Sequence, residues 1–293
     1  MKNKITCLLA GFALFGATAN ADIAIADGLT AYGYIDLVAS DTDAPGVDGE
    51  RTSDLSEYEI GLSFTPAESQ WSAAVELSYT GTGDSAFETA TVTYQYSDAL
   101  SFTAGNILSY QGLESFDAPN NNFISYAGTG ALYSAGYAEG VSADYSAGDI
   151  TLGVWADVTA NTSYEYYAAY SGVENLTLSV AIADNADDSD TTNIMAQYDL
   201  GDFALSFENV DSDGFGSALD MDVDVFAVAY GMGDTTVALR LTDGTIEGAD
   251  YEKTSIAAFH SLSDNVAAGI EYSDEEASTG DTKGFAVELL YVF

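Results

Sequence analysis

Carboxylates at alternating positions are the most regular chemical feature of this sequence. They interleave with apolar residues, as in Glu57-Tyr58-Glu59-Ile60. Every second residue of a β-strand points to the same side, so this spacing places the carboxylates on one face and the apolar groups on the other. Such a face attracts cations and accepts hydrogen bonds. The carboxylates that share it are Asp36, Glu57, Glu59, Glu76, Glu165, Glu208, Glu271 and Glu288.

Basic and catalytic side chains are scarce. The chain has 47 acidic residues against six Lys and Arg, which excludes nucleic-acid binding through a basic surface. Arg240 lies between Leu239 and Leu241 and should therefore lie on the same face as the carboxylates. It is a candidate functional residue there; the alternative is that it only forms a salt bridge to a nearby carboxylate of that face. The single histidine, His260, has no Ser-His-Asp spacing around it. We expect a protein that is not an enzyme and that holds no metal ion or cofactor.

The N-terminus has the features of an export signal. Basic residues precede an apolar stretch that ends in the small-residue pattern Ala19-Asn20-Ala21. We therefore expect a signal peptide over residues 1–21 and a single mature domain over 22–293; an uncleaved anchor is the alternative. The single Cys7 lies in the signal, so the mature chain has no cysteine for disulfides or thiolate metal sites.

Beyond residue 29 the chain alternates apolar and polar residues in stretches of about ten, which is typical of transmembrane β-strands. No later apolar run is long enough for a spanning helix. The 20 Tyr, 14 Phe and only three Pro also favour β-structure. We predict sixteen strands, although fourteen or eighteen would also fit. The predicted strands are 29–40, 54–65, 71–80, 87–96, 100–106, 139–147, 149–158, 163–171, 176–184, 191–200, 203–210, 221–231, 235–242, 254–261, 265–273 and 283–293.

The connections predict how these strands are arranged. Short turns follow every second strand, whereas longer acidic loops, such as 41–53 and 243–253, follow most of the others. Aromatic residues, among them Phe64, Trp71 and Phe259, recur near the short-turn ends, as in the interfacial belts of membrane barrels. The pattern predicts an all-β, closed antiparallel barrel with short periplasmic turns and long extracellular loops. A soluble secreted β-sandwich or β-solenoid is the alternative.

Three segments resemble bacterial outer-membrane porins. The C-terminal Glu288-Leu289-Leu290-Tyr291-Val292-Phe293 is similar to the signal that the barrel-assembly machinery reads, in which Tyr291 and Phe293 are the signal residues. Leu29 to Asp36 is similar to the first strand of many porins. Gly105 to Ser115 resembles the Gly-x6-Gly-x-Glu stretch of the OmpL-like β-barrel porin family, with the glutamate at Glu114.

The resemblance implies a role for the long connection from about residue 106 to 138, which would be the third external loop. In sixteen-stranded porins this loop folds into the barrel and narrows it, and three barrels associate. Glu114 and Asp117 would then lie at the constriction; ordinary solvated loop carboxylates are the alternative. General porins set several arginines against this loop, whereas here Arg240 stands alone, so a strong field across the pore is not expected.

We therefore expect a trimeric diffusion porin in the outer membrane of a Gram-negative-type bacterium, with a weak preference for cations. Arg51, Lys253 and Lys283 are expected in or beside external loops, where carboxylates outnumber them. Acidic loop clusters could bind calcium or bridge to lipopolysaccharide through divalent cations, but none has the spacing of a known calcium loop. The alternatives are a sugar-selective channel with Trp155 lining the bore, and a plugged structural or adhesive barrel.

Overall fold

Strands make up most of the chain in the computed structural model, which describes residues 23–80, 85–114, 117–128, 132, 136–158, 163–184, 189–215 and 219–293. The predicted signal peptide lies outside these residues. One 3-10 turn, Ala118–Asn120, is present, and no helix in the described ranges is long and apolar enough to cross a membrane. The strands are β1 (Ile23–Ala26), β2 (Leu29–Ala44), β3 (Val47–Phe64), β4 (Trp71–Thr80), β5 (Ser85–Gln95), β6 (Leu100–Leu108), β7 (Tyr137–Ala147), β8 (Ile150–Asp157), β9 (Tyr164–Val173), β10 (Leu176–Asp184), β11 (Asp190–Leu200), β12 (Phe203–Phe215), β13 (Leu219–Met232), β14 (Thr235–Ile246), β15 (Ala249–Ser263), β16 (Val266–Glu276) and β17 (Thr282–Val292).

Strands β2 to β17 form one closed ring. Each pairs antiparallel with the next, and β17 pairs with β2, from Lys283 opposite Asp43 to Val292 opposite Tyr34. The ring has sixteen strands, so the predicted closed antiparallel barrel and its strand number are confirmed. Closure matters because lipid cannot satisfy the backbone groups of an open sheet edge.

The two ends of the described chain meet along β2. The N–H of Phe293 donates to the Gly33 carbonyl (2.9 Å), and the Gly33 N–H donates back to the Phe293 carbonyl (2.8 Å). Just beyond, β1 pairs with the start of β2, with Ile23 opposite Ala31. The phenylalanine ring lies over Gly33, where a Cβ would approach its Cζ to 2.9 Å. The C-terminus therefore completes the seam that closes the barrel.

Two connections predicted as long acidic loops are mostly strand. The ladder between β2 and β3 continues through residues 41–53 to a turn between Ala44 and Val47. The ladder between β14 and β15 likewise runs to Glu247-Gly248, whose φ angles of 54° and 70° suit a tight hairpin turn. The prediction was wrong because the outward residues of these extensions, such as Asp243 and Glu252, are exposed and polar, so strand pairing there does not show as an alternation of apolar and polar residues.

The exterior of the barrel is apolar and aromatic at both ends. Leu239 and Leu241 are 38% and 45% exposed, whereas Arg240 between them is 2% exposed. Near the short-turn ends, residues such as Phe64 and Trp71 point outward. Phe259 is an exception to the predicted belt: it faces the interior and packs against other buried groups, so that assignment was wrong.

The alternation reverses along part of β13. Met221, Val223 and Val225 face the interior and pack against Ala127 and Leu132 of the β6–β7 connection. The residues between them on the outer face are acidic. An apolar residue in a strand therefore marks the lipid side only where lipid is present; here it marks a contact inside the barrel.

Candidate functional site

The described residues of the connection between β6 and β7, residues 109–136, lie in the interior of the barrel. We call it the third loop. Its described residues contact side chains of β9, β11, β12, β14, β15 and β16. In the strand order of the ring, β14 lies half-way round from β6. A loop that starts at β6 reaches these inward side chains only by crossing the lumen.

The start of the third loop is held by Glu165 of β9. Ser109 donates its hydroxyl to Glu165 Oε1 (2.8 Å), and the Tyr110 N–H donates to Oε2 (2.9 Å). The Tyr110 ring stacks on Tyr167 at 5.3 Å between centroids. The buried N–H groups of a loop without regular structure need hydrogen-bond acceptors. The Glu165 carboxylate accepts one such N–H and one hydroxyl.

Further along, β11 and β12 provide the next acceptors. The Gly112 N–H donates to Asn193 Oδ1 (2.9 Å), and the Leu113 N–H donates to Glu208 Oε1 (3.2 Å). Asn193 Nδ2 in turn donates to Glu208 Oε1 (2.7 Å). Both wall side chains are buried, so Glu208 contacts the loop and not open water.

The carboxylate of Glu271 on β16 holds the far part of the loop. It accepts hydrogen bonds from the Ile124 N–H, the Ser125 N–H and the Ser125 hydroxyl. Glu165, Glu208 and Glu271, all expected to line the lumen, thus face the interior but use their oxygens to anchor the third loop.

Arg240 pairs with Glu114 across the interior. The guanidinium also donates to the carbonyls of Ser125 (2.9 Å) and Tyr126 (2.7 Å), and it lies 4.4 Å from the centre of the Phe123 ring. The partner of Arg240 is therefore a carboxylate of the loop. The sequence analysis gave a carboxylate of the barrel wall as the alternative partner. Glu114 also accepts the Ala127 N–H (2.9 Å), which closes the loop on itself.

Lys253 is a correction to the sequence analysis. It was expected in or beside an external loop, but it lies in β15, faces the interior and is 7% exposed. Its Nζ donates to the carbonyls of Tyr126 (2.7 Å) and Gly128 (3.0 Å) and lies 3.5 Å from Glu275 Oε2. Hydrogen bonds to the loop carbonyls therefore stabilise the Lys253 side chain in the interior of the barrel.

The opposite side of the interior carries carboxylates that accept no hydrogen bond from the described residues of the third loop. We call them the acidic wall. The Tyr32 hydroxyl donates to Glu76, and the Ser78 hydroxyl donates to Glu57 Oε1 (3.3 Å). The side chains of the acidic wall are Asp36, Glu57, Glu59, Glu76, Glu88 and Glu288, on β2 to β5 and β17.

Glu88 was missed because a β-bulge breaks the alternation of β5. Val75 pairs with Ala90 and Leu77 pairs with Phe87, so two residues of β5 face the single residue between them on β4. The bulge turns Glu88 inward although Phe87 and Ala90 both face outward. The three-residue spacing of outward residues was the available signal.

The third loop approaches the acidic wall at Asp117. Oxygen atoms of Asp117, Glu59 and Glu88 all lie within 4.8 Å of one another. The 3-10 turn that follows lies near β17. The interior therefore has two sides: one binds the loop, and the other meets it with carboxylates.

Comparison with known proteins places the chain in a family. The family model described as Gram-negative porin matches residues 7–280. The chain belongs to this family. Comparison with curated protein sequences gives no significant match.

Solved porin structures share the fold at low sequence identity. An anion-selective porin from Comamonas acidovorans is 17% identical, with a TM-score of 0.70 over 90% of this chain and 99% of that one. A loop-deletion mutant of OmpT from Vibrio cholerae gives 13% identity and 0.64 over 91% and 100% of the chains. A mutant of the Rh. blastica porin gives 17% and 0.67 over 90% and 100%. The protein is an outer-membrane porin channel.

Trp155 and His260, which the sequence analysis considered as functional residues, have structural environments in this porin. Trp155 faces the interior but is 7% exposed and lies against Gly140, where a Cβ would come 2.4 Å from its Nε1. It therefore offers little surface to a sugar. His260 is exposed on β15, with Nδ1 2.9 Å from the Thr235 hydroxyl.

Proposed function

We propose that this porin forms a water-filled pore for small hydrophilic solutes and ions, with a weak preference for cations. The observation that carries the proposal is the acidic wall, together with Asp117 of the third loop. Carboxylates around a pore favour cations, and a negative lumen raises their local concentration.

The basic residues do not offset this charge. The described ranges contain four, and each pairs elsewhere. Arg240 and Lys253 are bound by the third loop. Arg51 pairs with Asp41 (2.9 Å) and Lys283 with Asp274 (3.1 Å).

Two effects keep the preference weak. Asp36 and Glu288 are buried on the adjacent strands β2 and β17, and neighbouring carboxylates repel each other, which favours a proton on one of them and lowers the charge of the acidic wall. Salt also screens the field, which decays over about 8 Å at roughly 0.15 M ionic strength. Selectivity should therefore fade as salt rises.

Reversal potentials across a potassium chloride gradient test the proposal. The wild-type channel should prefer potassium, and the double variant Glu57→Gln/Glu76→Gln should prefer it less, because two charges leave the acidic wall. Glu252→Gln is the matched control, since Glu252 is exposed on the exterior of β15.

A preference for chloride would contradict the proposal, and the anion-selective Comamonas porin shows that this fold exists with that property. Absence of conductance steps from folded protein would favour the plugged-barrel alternative. Block by a sugar would favour a solute-selective channel.

We also propose a homotrimer that contacts lipopolysaccharide through divalent cations. The trimer rests on the resemblance to sixteen-stranded porins. The lipid contact is supported by an outer row above the apolar band in which Asp224, Asp243, Glu252 and Glu276 are successive register partners. Like charges directly opposite one another destabilise strand pairs, and divalent cations would relieve this repulsion.

The third proposed partner is the barrel-assembly machinery, with Phe293 and Tyr291 as its signal. We expect Phe293→Ala to impair assembly in cells, because the ring is lost while both backbone bonds to Gly33 can still form. Heat-dependent gel migration of outer-membrane fractions measures it. Normal assembly of Phe293→Ala with failure of the Phe293 deletion would instead assign the role of this residue to the seam.

A further inference from the structure

A cluster of three carboxylates lies where the third loop meets the acidic wall. Glu59 comes from β3, Glu88 from the bulge of β5 and Asp117 from the loop, and their nearest oxygens lie within 4.8 Å of one another. We propose that these three side chains bind a calcium ion, which ties the third loop to the acidic wall.

Buried oxygens without hydrogen bonds point to a ligand at this position. Glu59 is 4% exposed, and its Oε2 has no hydrogen-bond partner among the described residues. The Oε2 atom of Glu88 is also buried and also has no hydrogen-bond partner among the described residues. Leaving such oxygens unsatisfied costs free energy.

The charge balance points the same way. Asp117 is held in place by the Asn120 side chain, whose Nδ2 donates to Asp117 Oδ2 (3.1 Å). In the described part of the chain no lysine or arginine forms an ion pair with Glu59 or Glu88. Carboxylates this close repel one another unless a cation or a proton lies between them.

Calcium fits this ligand set better than magnesium does. Calcium accepts carboxylates in irregular geometry at about 2.4 Å, so two of its ligands lie at most about 4.8 Å apart. Magnesium requires a near-ideal octahedron at about 2.1 Å and keeps several of its waters. Ligands drawn from two strands and a loop suit the more flexible ion.

Bound calcium would complete the attachment of the third loop. Hydrogen bonds and the Arg240–Glu114 pair hold the loop to β9 through β16, and the ion would hold it on the opposite side. This attachment rests on the proposed function only in that the site lies in the same acidic wall, where the charge of a bound calcium ion would offset part of the negative charge.

Calcium titration of the purified full-length porin tests the proposal. Protein stripped with a chelator is titrated with calcium chloride by isothermal calorimetry. Wild type should bind calcium at this site, and Glu59→Gln/Glu88→Gln should weaken that binding by roughly tenfold or more, because two charged ligands are lost. Asp117→Asn should weaken it too, and since it changes only the loop, it keeps the test valid if the double variant fails to fold.

The matched control is Asp243→Asn/Glu252→Gln, which removes two carboxylates from the outer row. It should leave the interior site unchanged and reveal any weak calcium binding at the surface. Wild type that binds no calcium, or Glu59, Glu88 and Asp117 variants that bind it as wild type does, would overturn the proposal. Reversal potentials taken in chelator test cation preference without calcium, so failure of either idea is separately visible.

Discussion

Replacing Arg240 with methionine is expected to release the third loop from β14 while the barrel stays closed. The change removes the partner of Glu114 and the donor to two loop carbonyls, all inside the barrel. Breaking a buried ion pair by removing one partner costs roughly 3–5 kcal/mol. The strand ladders do not depend on this contact, so the loss should fall on the loop.

Two measurements detect the release of the third loop. Chymotrypsin should cut the folded variant after loop aromatics such as Phe123 once the loop leaves the interior, and single-channel conductance should rise and become noisier. Arg51→Gln is the matched control, because Arg51 pairs with Asp41 at an exposed position where the side chain is 83% accessible. Such pairs contribute only about 0–1 kcal/mol, and the control should behave like wild type.

The double variant Glu114→Gln/Arg240→Met separates charge from packing. It should recover part of the protease resistance, because the uncompensated carboxylate is gone. If Arg240→Met alone kept wild-type conductance and resistance, the hydrogen bonds from Glu165, Glu208 and Glu271 would be sufficient to hold the loop.

Alternation predicted the barrel because it is a local signal. Residues such as Leu239, Arg240 and Leu241 reveal their faces through their immediate neighbours, and the terminal Phe293 required no knowledge of distant contacts. The same rule failed where its physical cause was absent, as in β13, where interior packing replaces lipid.

The resemblance to porins implied that the third loop enters the barrel, but its contacts could not be predicted, because they join residues far apart in sequence. Glu271 and Ser125 are 146 positions apart, and Lys253 and Tyr126 are 127 apart. Neither spacing nor composition shows which wall carboxylates accept loop N–H groups and which remain in the acidic wall. Glu88 was not predicted for a different reason: the β-bulge in β5 changes the face of the strand to which its side chain points.

The division of the interior gives the carboxylates of this porin two roles. Glu165, Glu208 and Glu271 are buried against backbone donors and set the position of the loop. The acidic wall accepts no hydrogen bond from the described residues of the loop, and in the proposed function it supplies charge to the pore. The large net charge of −41 is therefore a poor guide to selectivity, because many of the carboxylates act structurally or lie outside the barrel.

Replacing Val92 with lysine is expected to destabilise the folded barrel by about 2–4 kcal/mol, the cost of a cation near the bilayer midplane on the lipid face. Val92 points outward with 48% exposure, between Phe87 and Tyr96, which mark the two ends of the outer surface at this strand. Urea unfolding in lipid vesicles, followed by gel migration, measures the change.

The matched control is Thr93→Lys, one residue along the same strand. Thr93 faces the interior, and its hydroxyl lies 2.9 Å from that of Thr103, so the substitution should cost only about 1 kcal/mol for the lost hydrogen bond. Gly61 would be an unsuitable interior control, because the Tyr32 ring occupies the space of a Cβ there, at 2.3 Å. Lysine tolerated equally at residues 92 and 93 would mean that the exterior of β5 does not face lipid.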